Sequence, residues 1–471
     1  MTHVTLLQPR HSYAPNSGQG HIYTNTSLWT AGARLIQAGI EVDFQDENIR
    51  PFELKSEFVG VNLLGAPYIP LVRSKIRNAL YRDIHWIVGG QVVNGLVEKN
   101  LKTGETISRE QLEMLFGRQT VNGNDDDELA ATLGIRTGDL PPVMNTSLIP
   151  AYDKISDDDM QEYLSREISF FVSQGCEKSC AFCPAVRTFI DPVTKQKKRV
   201  KEEYRSADIM EKDLRYLVER AKKLGLRKLE LYLTNLDLLQ TPEKLFEFAG
   251  IVRSISQSHP DFSLGMRGLA CVDSFIKIRK DHDRVLPAMM YAGLHTVGYG
   301  IDGGTPEIWA SIRKGHNTPD NCINAIKLSR EEFGLTPEVL MVFGHQKDTR
   351  ESIQKAIAFT KDMAERYGAT PRPHVAKDIV PGNEHWRDPV NEDRVTDLIA
   401  VPKYFQATDF TALPSQISHP DSGQRRLIWD GHVEMLKLPG NTTPKIFPQS
   451  PEFSDEENEC HRQLNIGQYD R

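Results

Sequence analysis

Three of the six cysteines lie within eight consecutive positions, at Cys176, Cys180 and Cys183, and the other three are scattered. Three thiolates can hold a 4Fe-4S cluster and leave one iron without a protein ligand. A structural zinc site would instead complete its shell with a fourth Cys or His at similar local spacing, and none lies nearby. The spacing therefore indicates an iron-sulfur cluster with one open coordination position.

The elements that precede this motif predict a first domain over residues 1–100. Strands are predicted at 4–8, 41–44, 58–64 and 85–88, and helices at 28–37 and 71–81. Strands that alternate with helices are typical of a doubly wound parallel sheet, which binds ligands at the carboxyl ends of its strands. We therefore expect a Rossmann-like binding domain. The polar, acidic residues 101–165 are predicted to be a linker with short elements.

A second alternation starts at residue 166, directly before the cysteine motif. Strands are predicted at 168–173, 228–233, 262–266, 296–301 and 339–343, with an amphipathic helix at 208–224. This pattern predicts a full or partial parallel barrel over 166–385, with its active site at the carboxyl ends of the strands. Residues 386–471 are rich in loop-forming residues and are predicted to be a C-terminal cap or tail.

The composition excludes several classes of function. The net charge of −7 leaves no basic surface for a nucleic acid. No apolar run approaches the ~18 residues that suggest a membrane span. The first residues lack the pattern of an export signal, so we expect a cytoplasmic protein. Hydrophobic residues make up 39% and charged residues 26%, which is typical of a soluble globular chain.

The cysteine motif, with Gly175 before the first cysteine and Phe182 before the last, resembles that of the radical S-adenosylmethionine (SAM) superfamily. Residues 145–183, 299–304, 313–316 and 343–353 resemble segments of its subgroup with an N-terminal cobalamin-binding-type domain, the class B methylase-like proteins. Asp302 stands where that subgroup usually has Glu. The resemblance covers most of residues 1–385 and implies a Rossmann-like cobalamin-binding sheet followed by a partial (β/α)6 radical SAM barrel.

The resemblance also implies which residues contact SAM. The open iron would bind the amino and carboxylate groups of SAM, and reductive cleavage would give methionine and a 5′-deoxyadenosyl radical. Phe182 would flank the adenine, Thr234 and Asn235 would meet the amino group, and Asp302 would contact the ribose or amino end. Arg267, expected at a strand end, would contact SAM or make a structural ion pair. For Asp302, a structural role at the barrel rim is the alternative.

Cobalamin-binding domains of this type carry three signature loops, and this chain offers a segment for each. Asp46 to Asn48 stand at the first, where the usual histidine is missing. The candidate cobalamin residues are Asn48, Asn62, Leu64, Gly65, Gly89, Gly90 and Gln91. Because Gly-Gly after a strand is also a common turn, these positions allow a domain without cobalamin as well.

The predicted function is cobalamin-dependent C-methylation of an unactivated carbon in a small-molecule or natural-product substrate. Rearrangement, cyclisation or oxidation without cobalamin is the alternative, and a non-catalytic SAM or cobalamin sensor is a further one. A tRNA methylthiotransferase would need three further N-terminal cysteines, and none precedes Cys176. A flavodoxin- or ferredoxin-type protein is the expected electron donor. The sequence identifies no general base.

Overall fold

The computed structural model describes residues 2–10, 24–66, 68–101, 103–375, 379–402, 405, 419, 421–438, 459 and 462. These residues form two parallel sheets, each covered by helices, which confirms the predicted α/β fold. Within the described part of the chain, no helix combines the length and the apolar character needed to cross a membrane.

The N-terminal sheet has five parallel strands. They are β1 (His3–Gln8), β2 (Glu41–Asp46), β3 (Phe58–Asn62), β4 (His85–Gly89) and β5 (Val121–Asn122), in the spatial order β2-β1-β3-β4-β5. The chain changes direction across the sheet between β1 and β3. In sheets of this order, ligands bind outside the carboxyl ends of the strands at that switch point.

Five helices cover this sheet: α1 (Thr26–Gln37), α2 (Tyr68–Ile76), α3 (Gln91–Leu96), α4 (Glu110–Phe116) and α5 (Asp126–Leu133). Helix α1 begins where the Asn25 side chain accepts a hydrogen bond from the Leu28 N–H, a standard N-cap. Strand β5 and helices α4 and α5 lie within 101–165. The N-terminal sheet therefore extends beyond residue 100, into the segment interpreted from sequence as a linker.

Two short helices, α6 (Ile149–Tyr152) and α7 (Asp157–Leu164), connect the sheets. The connection is tied to the second sheet by a fully buried ion pair between Arg205 and Asp213. Asp213 accepts hydrogen bonds from the Ser147 hydroxyl and the Leu148 N–H, and Arg205 donates to the Thr146 carbonyl. These buried contacts hold the connection against the second sheet.

The second sheet has six parallel strands in an open, partial barrel, as predicted. They are β6 (Glu167–Phe170), β7 (Lys228–Leu233), β8 (Ser263–Ala270), β9 (Leu294–Gly300), β10 (Thr336–Phe343) and β11 (Thr370–Val375), in sequential order across the sheet. The sequence analysis missed β11, which contains Pro371 and Pro373. Proline cannot donate to a neighbouring strand, and β11 is accordingly an edge strand.

Helices alternate with these strands and continue to the C-terminal region. They are α8 (Ala207–Lys223), α9 (Pro242–Ser258), α10 (Val272–Asp281), α11 (Val285–Tyr291), α12 (Pro306–Ser311), α13 (Pro319–Glu331), α14 (Arg350–Tyr367), α15 (Glu392–Ala400) and α16 (Ser422–Leu436). Helix α8 confirms the predicted amphipathic helix: Leu214, Leu217, Val218 and Ala221 are buried on one face. Ile428 and Met435 of α16 belong to the barrel's hydrophobic core.

After the barrel, the chain returns to the N-terminal domain. Ile379, Trp386 and Leu398 belong to the same buried cluster as Val59 and Val88 of the first sheet. The Trp386 Nε1 donates to the Gln111 side chain at 2.9 Å. Residues 379–391 will be called the strap, because they pass from the barrel to the N-terminal domain. The predicted barrel ended at residue 385, so the strap spans that expected boundary.

Candidate active site

The three clustered cysteines lie on one loop after β6, at the carboxyl end of the second sheet. Cys176 and Cys180 are buried and Cys183 is half-buried. Backbone hydrogen bonds fix the loop: Thr188 N–H donates to the Cys176 carbonyl and Ala181 N–H to the Ile312 carbonyl. Gly175 has φ +94°, and a Cβ there would lie 2.5 Å from the Lys201 carbonyl oxygen. The glycine is therefore required by the backbone at the start of the loop.

The chemistry of this donor set fits an iron-sulfur cluster. Burial raises the pKa of the Cys176 thiol to about 12 and that of Cys180 to about 11, and neighbouring thiols act in the same direction. Metal coordination deprotonates a thiol outright, so a bound cluster would supply the compensating positive charge. The Lys178 N–H already donates to the Cys176 sulfur at 3.4 Å, as amides around iron-sulfur clusters do.

Asp302 and Lys314 form a buried ion pair beside this loop. Asp302 follows β9 with φ +54°, and its carboxylate lies 2.5 Å from the Lys314 Nζ. Lys314 also donates to the Gly300 carbonyl at 2.8 Å. Burial alone would lower the pKa of the Lys314 ammonium, but Asp302 and Cys180 raise it well above its usual range. Lys314 lies in the segment 313–316 noted from sequence, but no role was predicted for it.

Three further predicted SAM contacts lie at the same end of the sheet. The Phe182 ring packs 5.2 Å from the His345 ring, measured between centroids. The Thr234 hydroxyl donates to the Phe170 carbonyl, at 3.3 Å. Asn235 donates to the Ser173 hydroxyl at 2.7 Å, while its Oδ1 is buried without a hydrogen-bond partner among the described residues. That oxygen is an acceptor available for an amino group.

Arg267 lies inside its strand, three residues before the end of β8, and the expectation that it terminates the strand is wrong. Its guanidinium pairs with Glu167 and lies 3.8 Å from Glu338, and it stacks over the Tyr232 ring. Burial would lower the pKa of Arg267, but the two carboxylates raise it. The structure therefore shows the ion pair that was the alternative prediction for Arg267.

A cavity of about 550 Å³ lies between the two sheets. The N-terminal domain contributes Asn62, Gly89, Gly90 and Gln91, together with one face of α1. The cysteine loop contributes Gly175, and Thr234, directly after β7, also lines the cavity. Because this space joins the switch point of the first sheet to the cluster loop, a ligand bound there would contact both domains.

Only some of the candidate cobalamin residues line this cavity. Asn62 donates to the Asn25 side chain at 2.7 Å, and Gly90 has φ +100° with its N–H bonded to Asn124. Asn48, Leu64 and Gly65 do not line the cavity. Leu64 accepts a hydrogen bond from Gln91 through its carbonyl.

Asp46 to Asn48, the segment predicted as the first signature loop, do not line the cavity. Asp46 ends β2, the edge strand, whereas the switch point lies between β1 and β3. Asn48 bonds to the Asp46 carboxylate, which also accepts from the Tyr163 hydroxyl of α7. Residues 11–23, between β1 and α1 in the sequence, lie outside the described part of the chain.

A second set of charged residues surrounds the cysteine loop and was not identified from sequence. The Glu384 N–H of the strap donates to the Ala181 carbonyl at 3.2 Å. Its carboxylate pairs with Arg313 and lies 3.6 Å from Arg187. No local pattern marks Glu384, because its partners are distant in sequence.

The structure is similar to solved radical SAM structures. It aligns with the radical SAM methyltransferase TsrM from Kitasatospora setae, solved with tryptophan substrate and a SAM analogue, with a TM-score of 0.57 and 13% identity over 99% of this chain and 96% of that one. It aligns with the cobalamin-dependent SAM radical enzyme OxsB, solved with aqua-cobalamin, with a TM-score of 0.54 and 13% identity over 86% and 56%. These similarities confirm the predicted fold.

Among curated proteins, an uncharacterised methyltransferase from Pyrococcus horikoshii, PH0819, is 24% identical over 340 residues, which are 67% of each chain. No protein-family model matches the sequence.

Proposed function

We propose that this chain is a radical SAM enzyme that cleaves SAM reductively at a 4Fe-4S cluster and uses cobalamin to methylate an unactivated carbon of a small molecule. The main support for this proposal is the position of the loop that holds the three cysteines. It lies at the carboxyl end of the second sheet and opens on a cavity shared with the switch point of the first. The similarity of the chain to TsrM, OxsB and PH0819 supports this assignment.

The chain's own residues would hold the two cofactors on opposite sides of one chamber. Cys176, Cys180 and Cys183 would ligate the cluster, which supplies the electron and the open iron for SAM. Asn235 Oδ1 would accept a hydrogen bond from the amino group of SAM, and Phe182 would pack on the adenine. Lys314, held by Asp302, places a fixed positive charge beside the Cys180 sulfur.

Cobalamin would occupy the interdomain cavity, with Asn62, Gly89 and Gly90 at its edge. It would supply a carrier for the methyl group between SAM and the substrate. The turn itself requires glycine at position 90, because a Cβ there would collide with the Asn62 side chain and the Leu63 backbone. No histidine is among the residues that line the cavity, so within the described chain the cobalt would have no imidazole ligand from this surface.

Anaerobic reconstitution with iron, sulfide and hydroxocobalamin tests the proposal. Iron near four per chain, bound cobalamin in the visible spectrum, and release of methionine and 5′-deoxyadenosine under reduction are the expected results. About four irons per chain without bound cobalamin would overturn the methylation assignment. That result would favour a rearrangement, cyclisation or oxidation. Absence of iron would overturn the radical SAM assignment itself. We further propose a cytoplasmic protein reduced by a flavodoxin- or ferredoxin-type donor.

A further inference from the structure

A second group of metal-ligating side chains lies at the mouth of the barrel, on elements that do not carry the clustered cysteines. Cys271 caps the N-terminus of α10, Asp273 lies in its first turn, and His316 follows α12. The Cys271 Sγ, one Asp273 carboxylate oxygen and one His316 ring nitrogen all lie within 4.8 Å of one another. A thiol, a carboxylate and an imidazole at this separation are the ligand types that zinc takes in proteins.

Two of these donor atoms have no other partner among the described residues. The Asp273 Oδ1 and the His316 Nε2 are buried, and neither makes a hydrogen bond. They lie 3.6 Å apart, beyond hydrogen-bond distance. Buried polar atoms without partners are costly, and a cation between them would remove that cost.

The surrounding contacts orient the ligands. Lys178 pairs with the other Asp273 oxygen, Oδ2, and so holds Oδ1 toward His316. Asp237 accepts from the Cys271 N–H at 3.0 Å and from the Ser274 hydroxyl at 2.6 Å. Outer hydrogen bonds of this kind fix the orientation of metal ligands.

The charges are also balanced for a divalent cation. A Cys271 thiolate, Asp273 and Asp237 would carry three negative charges, and Lys178 carries one positive charge. A divalent ion would bring this group to neutrality. Lys178, which pairs with Asp273, belongs to the cysteine loop, so this group lies beside the cluster loop.

We propose that Cys271, Asp273 and His316 form a second metal site, which binds Zn²⁺ and leaves one coordination position open to a donor atom of the substrate. Three protein ligands with an open position are the arrangement of zinc sites that contact substrates, whereas structural zinc sites have four protein ligands. The zinc content of the protein does not depend on SAM cleavage, so this inference and the proposed function can fail separately.

Metal analysis of the cluster-loaded protein supplied with Zn²⁺ tests the site. We expect about one zinc per chain together with about four irons, and at least a tenfold loss of zinc in Cys271→Ala and in His316→Ala with iron unchanged. Cys322→Ala and His295→Ala are matched controls: Cys322 is a buried free thiol on α13, and His295 lies on β9. Both controls should keep their zinc.

Zinc-edge X-ray absorption of the unmutated protein provides a second measurement that does not depend on a variant folding. One sulfur at about 2.3 Å with nitrogen or oxygen neighbours at about 2.0 Å is expected. A zinc content below about one tenth per chain, zinc unaffected by both ligand variants, or a shell without sulfur would overturn the proposal. Weakened SAM binding in these variants, with no zinc in the parent, would identify the group as part of the SAM site instead.

Discussion

The Lys314 ammonium lies 2.5 Å from the Asp302 carboxylate, and both side chains are almost wholly buried beside the cluster loop. Removing one member of such a pair leaves an uncompensated charge in the interior. We expect Lys314→Gln to lower the free energy of unfolding by about 3 to 5 kcal/mol. Urea unfolding of the cluster-free protein measures this loss.

The double variant Lys314→Gln with Asp302→Asn should recover much of that stability, because neither charge then remains. Lys327→Gln serves as the control, since Lys327 and Glu331 form an exposed pair on α13. Its effect should stay below about 1 kcal/mol. Equal losses in the two single lysine variants would contradict the interpretation of a buried charge pair.

The cluster loop gives a direct prediction for iron content. Cys183→Ala removes one of three thiolate ligands, and we expect iron to fall from about four to below about one per chain after reconstitution. Iron and sulfide counts with visible spectroscopy measure this. Cys322→Ala should retain the full iron content, and an unchanged count in Cys183→Ala would mean that the iron is held elsewhere.

We expect the affinity of the interdomain cavity for cobalamin to depend on the size of the side chains on α1. Ala31 lines the cavity, and Ala31→Phe would fill part of the space. We expect cobalamin affinity to fall by about tenfold or more, with iron content unchanged. Equilibrium titration followed by filtration measures the affinity. Gln37→Phe, at an exposed position of the same helix, should bind normally, and normal binding by Ala31→Phe would place the cobalamin elsewhere.

His419 predicts a loss of stability in mild acid. Burial lowers its pKa to about 4, and its Nε2 bonds to the Gly344 carbonyl. Because the unfolded histidine titrates near 6.5, the unfolded state binds more protons between these values, and stability falls as the pH drops. For His419 this loss amounts to about 2 kcal/mol between pH 7 and pH 5.

Urea midpoints between pH 7 and pH 5 test this effect. Burial also lowers the pKa of His345, so the parent protein should show a larger total loss. In His419→Gln, the free energy of unfolding should fall less between pH 7 and pH 5, by the contribution of one histidine. A fall identical to that of the parent would show that His419 does not contribute.

We expect the contacts of the strap to slow the loss of iron from the cluster. Glu384 joins the strap to Arg313 and Arg187, so Glu384→Gln should loosen the cysteine loop. We expect iron to be lost to a chelator about five times faster, since one kcal/mol of easier local opening gives a change of that order. Glu392→Gln, at an exposed position on α15, should match the parent rate. Equal rates in all three proteins would exclude a role for Glu384 in retaining iron.

Local patterns predicted most strands of both sheets, because apolar runs between turn residues carry that information. Strand β5 was missed because it has only two residues, Val121–Asn122, and β11 because its prolines are typical of loops. The cysteine spacing marked its loop directly. The position of Asn48 next to an edge strand could not be predicted, since only the order of the strands shows that β2 is at the edge.

The partners of Glu384 and Lys314 could not be predicted for a different reason. Their roles depend on contacts between segments that are far apart in sequence, and no periodicity or spacing encodes such contacts. The same holds for Cys271 and His316. His316 lies in the segment 313–316 noted from sequence, but nothing there indicates Cys271 as its neighbour, and only the fold brings the two together.

The contact between Glu384 and Ala181 also has a consequence for biosynthesis. During translation, the cysteine loop emerges from the ribosome long before the strap, and its backbone partner is missing until residues 379–391 follow. Contacts of high sequence separation form late, because loop closure must precede them. The newly made chain would therefore pass through a stage in which both sheets are present and the thiols are accessible, which is when assembly factors could insert the iron.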